Sequence, residues 1–219
     1  MKPILFNTEM VRAILEGRKT VTRRVLKGYA LENLELDVDG TIIGVYDRFE
    51  GMVRPVMNYA PLQSGDILYV RETWRVRNVF GDLKRGDRTA EIEFRAGGEN
   101  TCINISEDSI YTRCWRPSIH MPKEAARIFL RVTDIRVERL QDMHLADCLK
   151  EGVQLSVIEQ SDFVIQGVRA RERFSAVWDS TIKPADRSTY GWAANPWVWV
   201  ISFEMIDKER ALNGDGVDG

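Results

Sequence analysis

Glu16-Gly17-Arg18-Lys19-Thr20-Val21-Thr22-Arg23-Arg24 gathers one lysine, three arginines and two threonine hydroxyls within nine residues. Upstream, Met10, Val11, Ile14 and Leu15 recur at helical spacing. Asn7 or Thr8 is placed to cap that helix, and Gly17 to end it. Downstream, Thr20 to Val25 reads as extended. Alternation then sets Thr20, Thr22 and Arg24 on one side and Val21, Arg23 and Val25 on the other. A helix that runs into a strand can hold a lysine ammonium beside a hydroxyl, which is the minimum needed to activate threonine without histidine or metal. Arginine forks suit a phosphate or a stacked base. The same basic residues also complement a helix C-terminus while standing in water. The short motif does not choose between these readings.

The rest of the chain narrows the classes. Its 219 residues suffice for one generous domain or two small ones, and 44% apolar with 29% charged residues is ordinary for a globular protein. No run approaches the roughly 18 apolar residues of a membrane span. Met1-Lys2-Pro3-Ile4-Leu5-Phe6 is too short for a secretory leader and reads as a first strand. A cytoplasmic protein with no membrane partner is expected. A net charge of −2 excludes nucleic-acid binding through a global field. Any such contact needs a local basic face, for which Arg18, Lys19, Arg23 and Arg24 qualify, joined by Arg71, Arg75 and Arg77. Cys102, Cys114 and Cys148 are odd in number and lack C-x-x-C spacing, which argues against disulfides and zinc. His120 and His144 are too few for a histidine metal centre or a Ser-His-Asp triad. Neither metal nor cofactor is expected.

Further along, Leu34 to Val38 and Thr41 to Tyr46 flank Asp39-Gly40, a strong hairpin signal. Ile67 to Trp74 reads as an extended run after Gly65-Asp66. Residues 78–110 are polar, with one strand-like patch from Ala90 to Phe94. A long strand is expected from Ile128 to Val137, then a helix from Asp142 to Glu151 closed by Gly152. Another helix is expected from Arg169 to Ser180, burying Phe174, Val177 and Trp178, and a last strand from Trp197 to Ile206. The tail 207–219 reads as disordered. The fold class expected is α+β in a single domain, 1–206, with insertions at about 28–62 and 78–110.

Several separated stretches together resemble the ASCH family, whose fold is a PUA-like small β-barrel with flanking helices. These are Gly17-Arg18-Lys19-Thr20-Val21-Thr22-Arg23, Gly65-Asp66-Ile67-Leu68-Tyr69-Val70, Glu151-Gly152 and Trp197-Val198-Trp199-Val200-Ile201-Ser202-Phe203-Glu204. Longer phage or prophage members have segments similar to Arg71-Glu72-Thr73-Trp74 and Pro117-Ser118-Ile119-His120-Met121-Pro122. The resemblance spans the core and leaves out both insertions and the tail.

What it implies is a pocket in the barrel mouth that takes a nucleoside or RNA. In bacterial acetylcytidine amidohydrolases of this fold a G-x-K-T-x-T segment works with a distant glutamate, which carries over to Lys19, Thr22 and Glu151. Thr22 would attack the amide carbonyl, Lys19 assist its deprotonation or hold the oxyanion, and Glu151 relay protons to the leaving amine. Other members imply a non-catalytic RNA-binding module, or a ribonuclease in which Lys19, Arg23 and Arg24 clamp phosphate. Arg18, Arg71, Glu72, Trp74 and His120 are further candidates for substrate or RNA binding. Several of these candidates have a plain alternative: Thr22 as a strand former, Arg71 and Glu72 as a rim ion pair, Trp74 as core, and His120 as a loop support.

Overall fold

In the computed structural model, which describes residues 1–81, 88–105, 113–156 and 163–213, the chain divides into two compact units, each discontinuous in sequence. Mixed α+β architecture dominated by sheets, with a few helices, is seen in both.

The first unit comprises Met1–Gly17, Gly65–Arg131 and Glu204–Gly219. Strand β1 (Lys2–Leu5) leads to helix α1 (Thr8–Leu15), whose first turn is closed by Asn7 Oδ1 accepting from the Met10 amide at 2.9 Å. Val11, Ala13 and Ile14 are buried, while Leu15, expected on that face, is 40% exposed. Strand β6 (Ile67–Arg71) runs parallel to β1, and the opening of β10 (Phe129–Arg139) pairs antiparallel with β6. Residues 74–105 build a meander of β7 (Trp74–Phe80), β8 (Arg88–Phe94) and β9 (Thr101–Ile105). The segment expected to be mainly polar thus supplies two strands. Ala90, Ile92 and Phe94 alternate with Glu91 and Glu93, so one face is buried with Ile103 and Ile105 while the other bears the charges. The tail expected to be disordered begins with helix α6 (Lys208–Asn213), while 214–219 lie outside the described residues.

Arg18–Ser64 and Val132–Phe203 form the second unit. Strand β2 (Val21–Val25) pairs antiparallel with β11 (Trp197–Ile206), Arg23 opposite Val200 and Thr22 opposite Ile201. After α2 (Tyr29–Glu32), strands β3 (Leu34–Leu36), β4 (Ile42–Asp47) and β5 (Met52–Arg54) make the expected hairpin and add one strand. Asp37 Oδ1 fixes the turn by accepting from the Asp39 and Thr41 amides. Helix α3 (Leu145–Lys150) starts later than expected. Its cap is His144, whose amide donates to Asp147 Oδ2 at 3.0 Å, because a 3-10 turn occupies Leu140–Asp142. Helix α4 (Phe163–Thr181) buries Phe174 and Trp178, but Val177 is 41% exposed, one residue off the buried stripe. Those two aromatics pack with Val21, Leu140, Met143, Cys148 and Val198. A short helix, α5 (Arg187–Tyr190), precedes the last strand. Among the described residues, no strand pairing closes a barrel.

Two glycines of the hairpin separate clash from strain. A Cβ on Gly44 would lie 2.4 Å from the Arg54 carbonyl oxygen and 2.6 Å from Val53 Cγ1, whereas Gly40 has open space but φ of +79°. Gly40→Ala is expected to lower stability by about 1–2 kcal/mol through left-handed strain alone. Gly44→Ala displaces β5, and hydrogen exchange at Val53 and Arg54 accelerates only in that variant.

Candidate functional site

Lys19 is almost fully buried, with 2% of its surface exposed, an unusual position for lysine. Its Nζ donates to Glu151 Oε2 at 2.5 Å, to the Val21 carbonyl at 2.8 Å and to the Glu151 carbonyl at 3.1 Å. The backbones meet as well: Lys19 and Glu151 form a β-bridge, and the Thr20 amide donates to the Lys150 carbonyl. The end of α3 is thereby sewn to the chain entering β2. Gly152, at φ of +93°, makes the reversal there. Arg18 adds a 2.6 Å bond from Nη1 to the Gly152 carbonyl.

Arg23 continues the network. Its Nη1 reaches Glu151 Oε1 at 3.1 Å, and its Nη2 and Nε reach Glu138 Oε1 at 2.6 and 3.1 Å. Glu138 Oε2 in turn accepts from Arg136 at 3.1 Å. Burial pulls the Lys19 ammonium below the ordinary amine range, and the Glu151 carboxylate only partly opposes that. Arg24 is likewise lowered by burial, with Glu151 again opposing. For Arg23 burial also pulls down, but Glu151 and Glu138 together outweigh it and raise the guanidinium.

Thr22 is buried on β2 with 1% exposure. Lys19 and Arg23 converge on Glu151, and strand alternation turns Thr22 to the face opposite Arg23. The Thr22 hydroxyl is not among the acceptors found for Lys19 Nζ. Lysine and glutamate are therefore brought together, and the threonine is not joined to them.

Arg71, Glu72, Trp74 and His120 belong to the first unit. Glu72 is buried in a two-pronged pair with Arg127, Nε to Oε1 at 2.9 Å and Nη2 to Oε2 at 3.0 Å. Burial raises the Glu72 carboxyl, and Arg127 holds it back. Trp74 is 1% exposed within the core, with the Arg116 guanidinium 5.4 Å from its ring, so it offers no open face for stacking. Arg71 Nη1 donates to the Ile119 carbonyl at 3.2 Å, which sets it beside exposed His120. Arg75 and Arg77, expected to extend a basic face, pair with Glu93 and Glu91.

Two partners escaped the sequence reading, Glu138 and Arg127. Both sit among many charged residues, and no local spacing marks a charge that will be buried from the far side. Glu138 also lines a concavity of about 690 Å³ with Asp39, Thr41, Arg139, Asp142 and Trp197. Arg139 stacks over the Trp197 ring at 4.3 Å there. Of the cysteines, Cys102 and Cys114 are exposed, and burial pushes the Cys148 thiol up to about 11. Among the described residues no helix is long and apolar enough to cross a membrane, and no three His, Cys, Asp or Glu residues gather as metal ligands would.

No family model and no curated protein matches the chain. Among solved structures it is similar to the crystal structure of protein EF3133 from Enterococcus faecalis V583, described as DUF984. Identity is 11%, the match covers 94% of this chain and 72% of that one, and the TM-score is 0.38. A likeness at that level bears on neither fold nor activity.

Removing one partner of a buried pair strands the other. Glu151→Ala leaves Lys19 and Arg23 without their shared carboxylate, and urea unfolding is expected to show a loss of about 3–5 kcal/mol. The lowered Lys19 pKa has a second consequence. Between its folded value and the ordinary 10.5, the unfolded chain holds a proton that the native protein has released, so stability rises with pH across that window. Lys19→Met is expected to remove that slope, measured as the difference in unfolding free energy between the two proteins from pH 7 to 10.5.

Proposed function

We propose that the chain is a PUA-like domain of ASCH type that hydrolyses a modified nucleoside or related RNA substrate, removing an acyl group from the exocyclic amine of the base as in acetylcytidine. The observation that carries this reading is the 2.5 Å contact between Lys19 Nζ and Glu151 Oε2, with side chains 0% and 5% exposed. A buried lysine of lowered proton affinity against a carboxylate is a proton-handling pair.

In this reading Glu151 takes a proton from the Lys19 ammonium, and the neutral amine takes one from the attacking hydroxyl. Attack on the amide carbonyl gives a tetrahedral oxyanion, which the Lys19 ammonium formed in that step offsets. Collapse breaks the C–N bond while Glu151 passes the proton it took to the leaving exocyclic amine, releasing the unmodified base. Water as the attacker yields the carboxylic acid directly. Thr22 as the attacker yields an acyl ester on its oxygen, which water then cleaves. The position of Thr22 on the strand face opposite Arg23 favours water.

A second reading is a non-catalytic RNA-binding module using the same cations, and the same position of Thr22 favours it, since binding needs no nucleophile. A phosphate-directed ribonuclease would use Lys19, Arg23 and Arg24, of which Lys19 and Arg23 already hold carboxylates, so it ranks last. Incubation of the purified protein with acetylcytidine, read by chromatography, decides between them. Cytidine is expected to accumulate. Lys19→Met and Glu151→Gln are each expected to reduce kcat/KM by about 10²-fold or more, with unchanged circular dichroism, and Thr22→Ala to retain turnover. No cytidine from the wild-type protein, with RNA affinity falling steeply with salt, would leave the binding module instead.

A further inference from the structure

The first unit holds cations that its ion pairs do not absorb. Arg127 directs its Nε–Nη2 edge at Glu72, and Arg131 directs its own at Glu204. Arg71 differs. Its Nη1 is bonded to the Ile119 carbonyl, while its Nε is buried with no acceptor among the described residues. The edge that meets a carboxylate in the other two arginines is thus left without one.

Around it stand two more donors. The bond to Ile119 holds Arg71 against the turn Ser118–His120, where the His120 ring is exposed. Three residues on, exposed Lys123 has its ammonium 5.9 Å from the centroid of the Tyr69 ring, and the Arg71 guanidinium lies 5.8 Å from the same centroid. Two positive charges therefore gather about one aromatic ring. Among the described residues no carboxylate pairs with either, and Glu124, the neighbouring acid, is exposed and joins neither. Two like charges near one ring add to a positive field that an anion offsets. A buried donor without an acceptor adds to what such an anion relieves.

We propose that Arg71, His120 and Lys123 form a binding site for a phosphate group. A planar arginine edge, a compact ammonium and an imidazole together offer several donors, which suits the several oxygens of a tetrahedral dianion better than a flat carboxylate. Neither segment that supplies these residues takes part in the Lys19–Glu151 chemistry, so the site stands whether or not that chemistry does. A free phosphate, a nucleotide and an RNA strand share the same recognition.

The test titrates the full chain with inorganic phosphate and cytidine 5′-monophosphate by calorimetry, and with a labelled 12-nucleotide single-stranded RNA by anisotropy at low salt. At least one probe is expected to bind. Lys123→Gln, an exposed change that does not threaten folding, is expected to weaken it about fivefold and to lower the RNA salt slope by about 0.7. Arg71→Lys, which keeps the charge but loses the edge, is expected to weaken it about tenfold without altering the melting temperature. Phosphate binding as tightly as the nucleotide identifies the free anion, and binding of RNA alone identifies the strand. If none of the probes binds, or if Lys123→Gln leaves every affinity unchanged, the site does not exist.

Discussion

A lysine ammonium taken out of water must find compensation nearby, and in the second unit Glu151 supplies it from 132 residues away. That single requirement organises much around it. The carboxylate comes from the end of α3, so the helix must stop there, and Gly152 provides the positive φ that lets the chain turn. The strand must enter at the right depth, which the Lys19–Glu151 bridge and the Thr20–Lys150 bond enforce. Charges then alternate outward from Lys19 through Glu151, Arg23 and Glu138 to Arg136, which is 44% exposed in its side chain. Each inner charge is compensated on two sides, and the series ends where water takes over. Arginine suits the middle position because its fork spans two carboxylates at once.

The first unit solves the same problem in a closed form. Glu72 and Arg127 meet edge to edge, and Arg127 Nη1 spends its donor on the Glu99 carbonyl. The guanidinium lies 4.1 Å from the Phe94 ring. Gly98 is needed beside it, because a Cβ there would come within 2.6 Å of Arg127 Nη1, and its φ of +87° suits glycine alone. Nothing in that pair is arranged to move a proton. The carboxylate is fixed by two bonds to a group that does not give its proton up, whereas Glu151 faces an amine that can.

How much of this the sequence disclosed depended on whether the signal was local. Helix α1 was legible from Asn7, Val11, Ile14 and Gly17, the hairpin from Asp39-Gly40, and β11 from the apolar run Trp197 to Ile201. Strands β8 and β9 were half legible: Ala90, Ile92 and Phe94 alternate plainly, but the surrounding Gly, Asp and Arg obscured the meander. The start of α3 was misplaced because Asp142 is as good a cap as His144 until a 3-10 turn is seen to occupy it. At the site, the approach of Lys19 to Glu151 followed only from resemblance, since no spacing relates positions so far apart. The alternation rule did anticipate that Thr22 and Arg23 diverge. Glu138 and Arg127 were illegible for a physical reason: burial of a charge is decided by what packs over it, and that comes from elsewhere in the chain.

Where the Lys19–Glu151 proton sits determines whether the pair is a clasp or a catalyst. In the ion-paired form the ammonium has no lone pair and cannot take a proton from anything. The form with neutral amine and neutral acid places no net charge in the interior, and desolvation favours it over two separate ions. Arg23 acts on both ends of the contact: it bonds the Glu151 carboxylate at 3.1 Å, an interaction that a neutral acid would weaken, and with Arg24 it lowers the Lys19 ammonium. The two tendencies oppose one another at a single hydrogen bond of 2.5 Å.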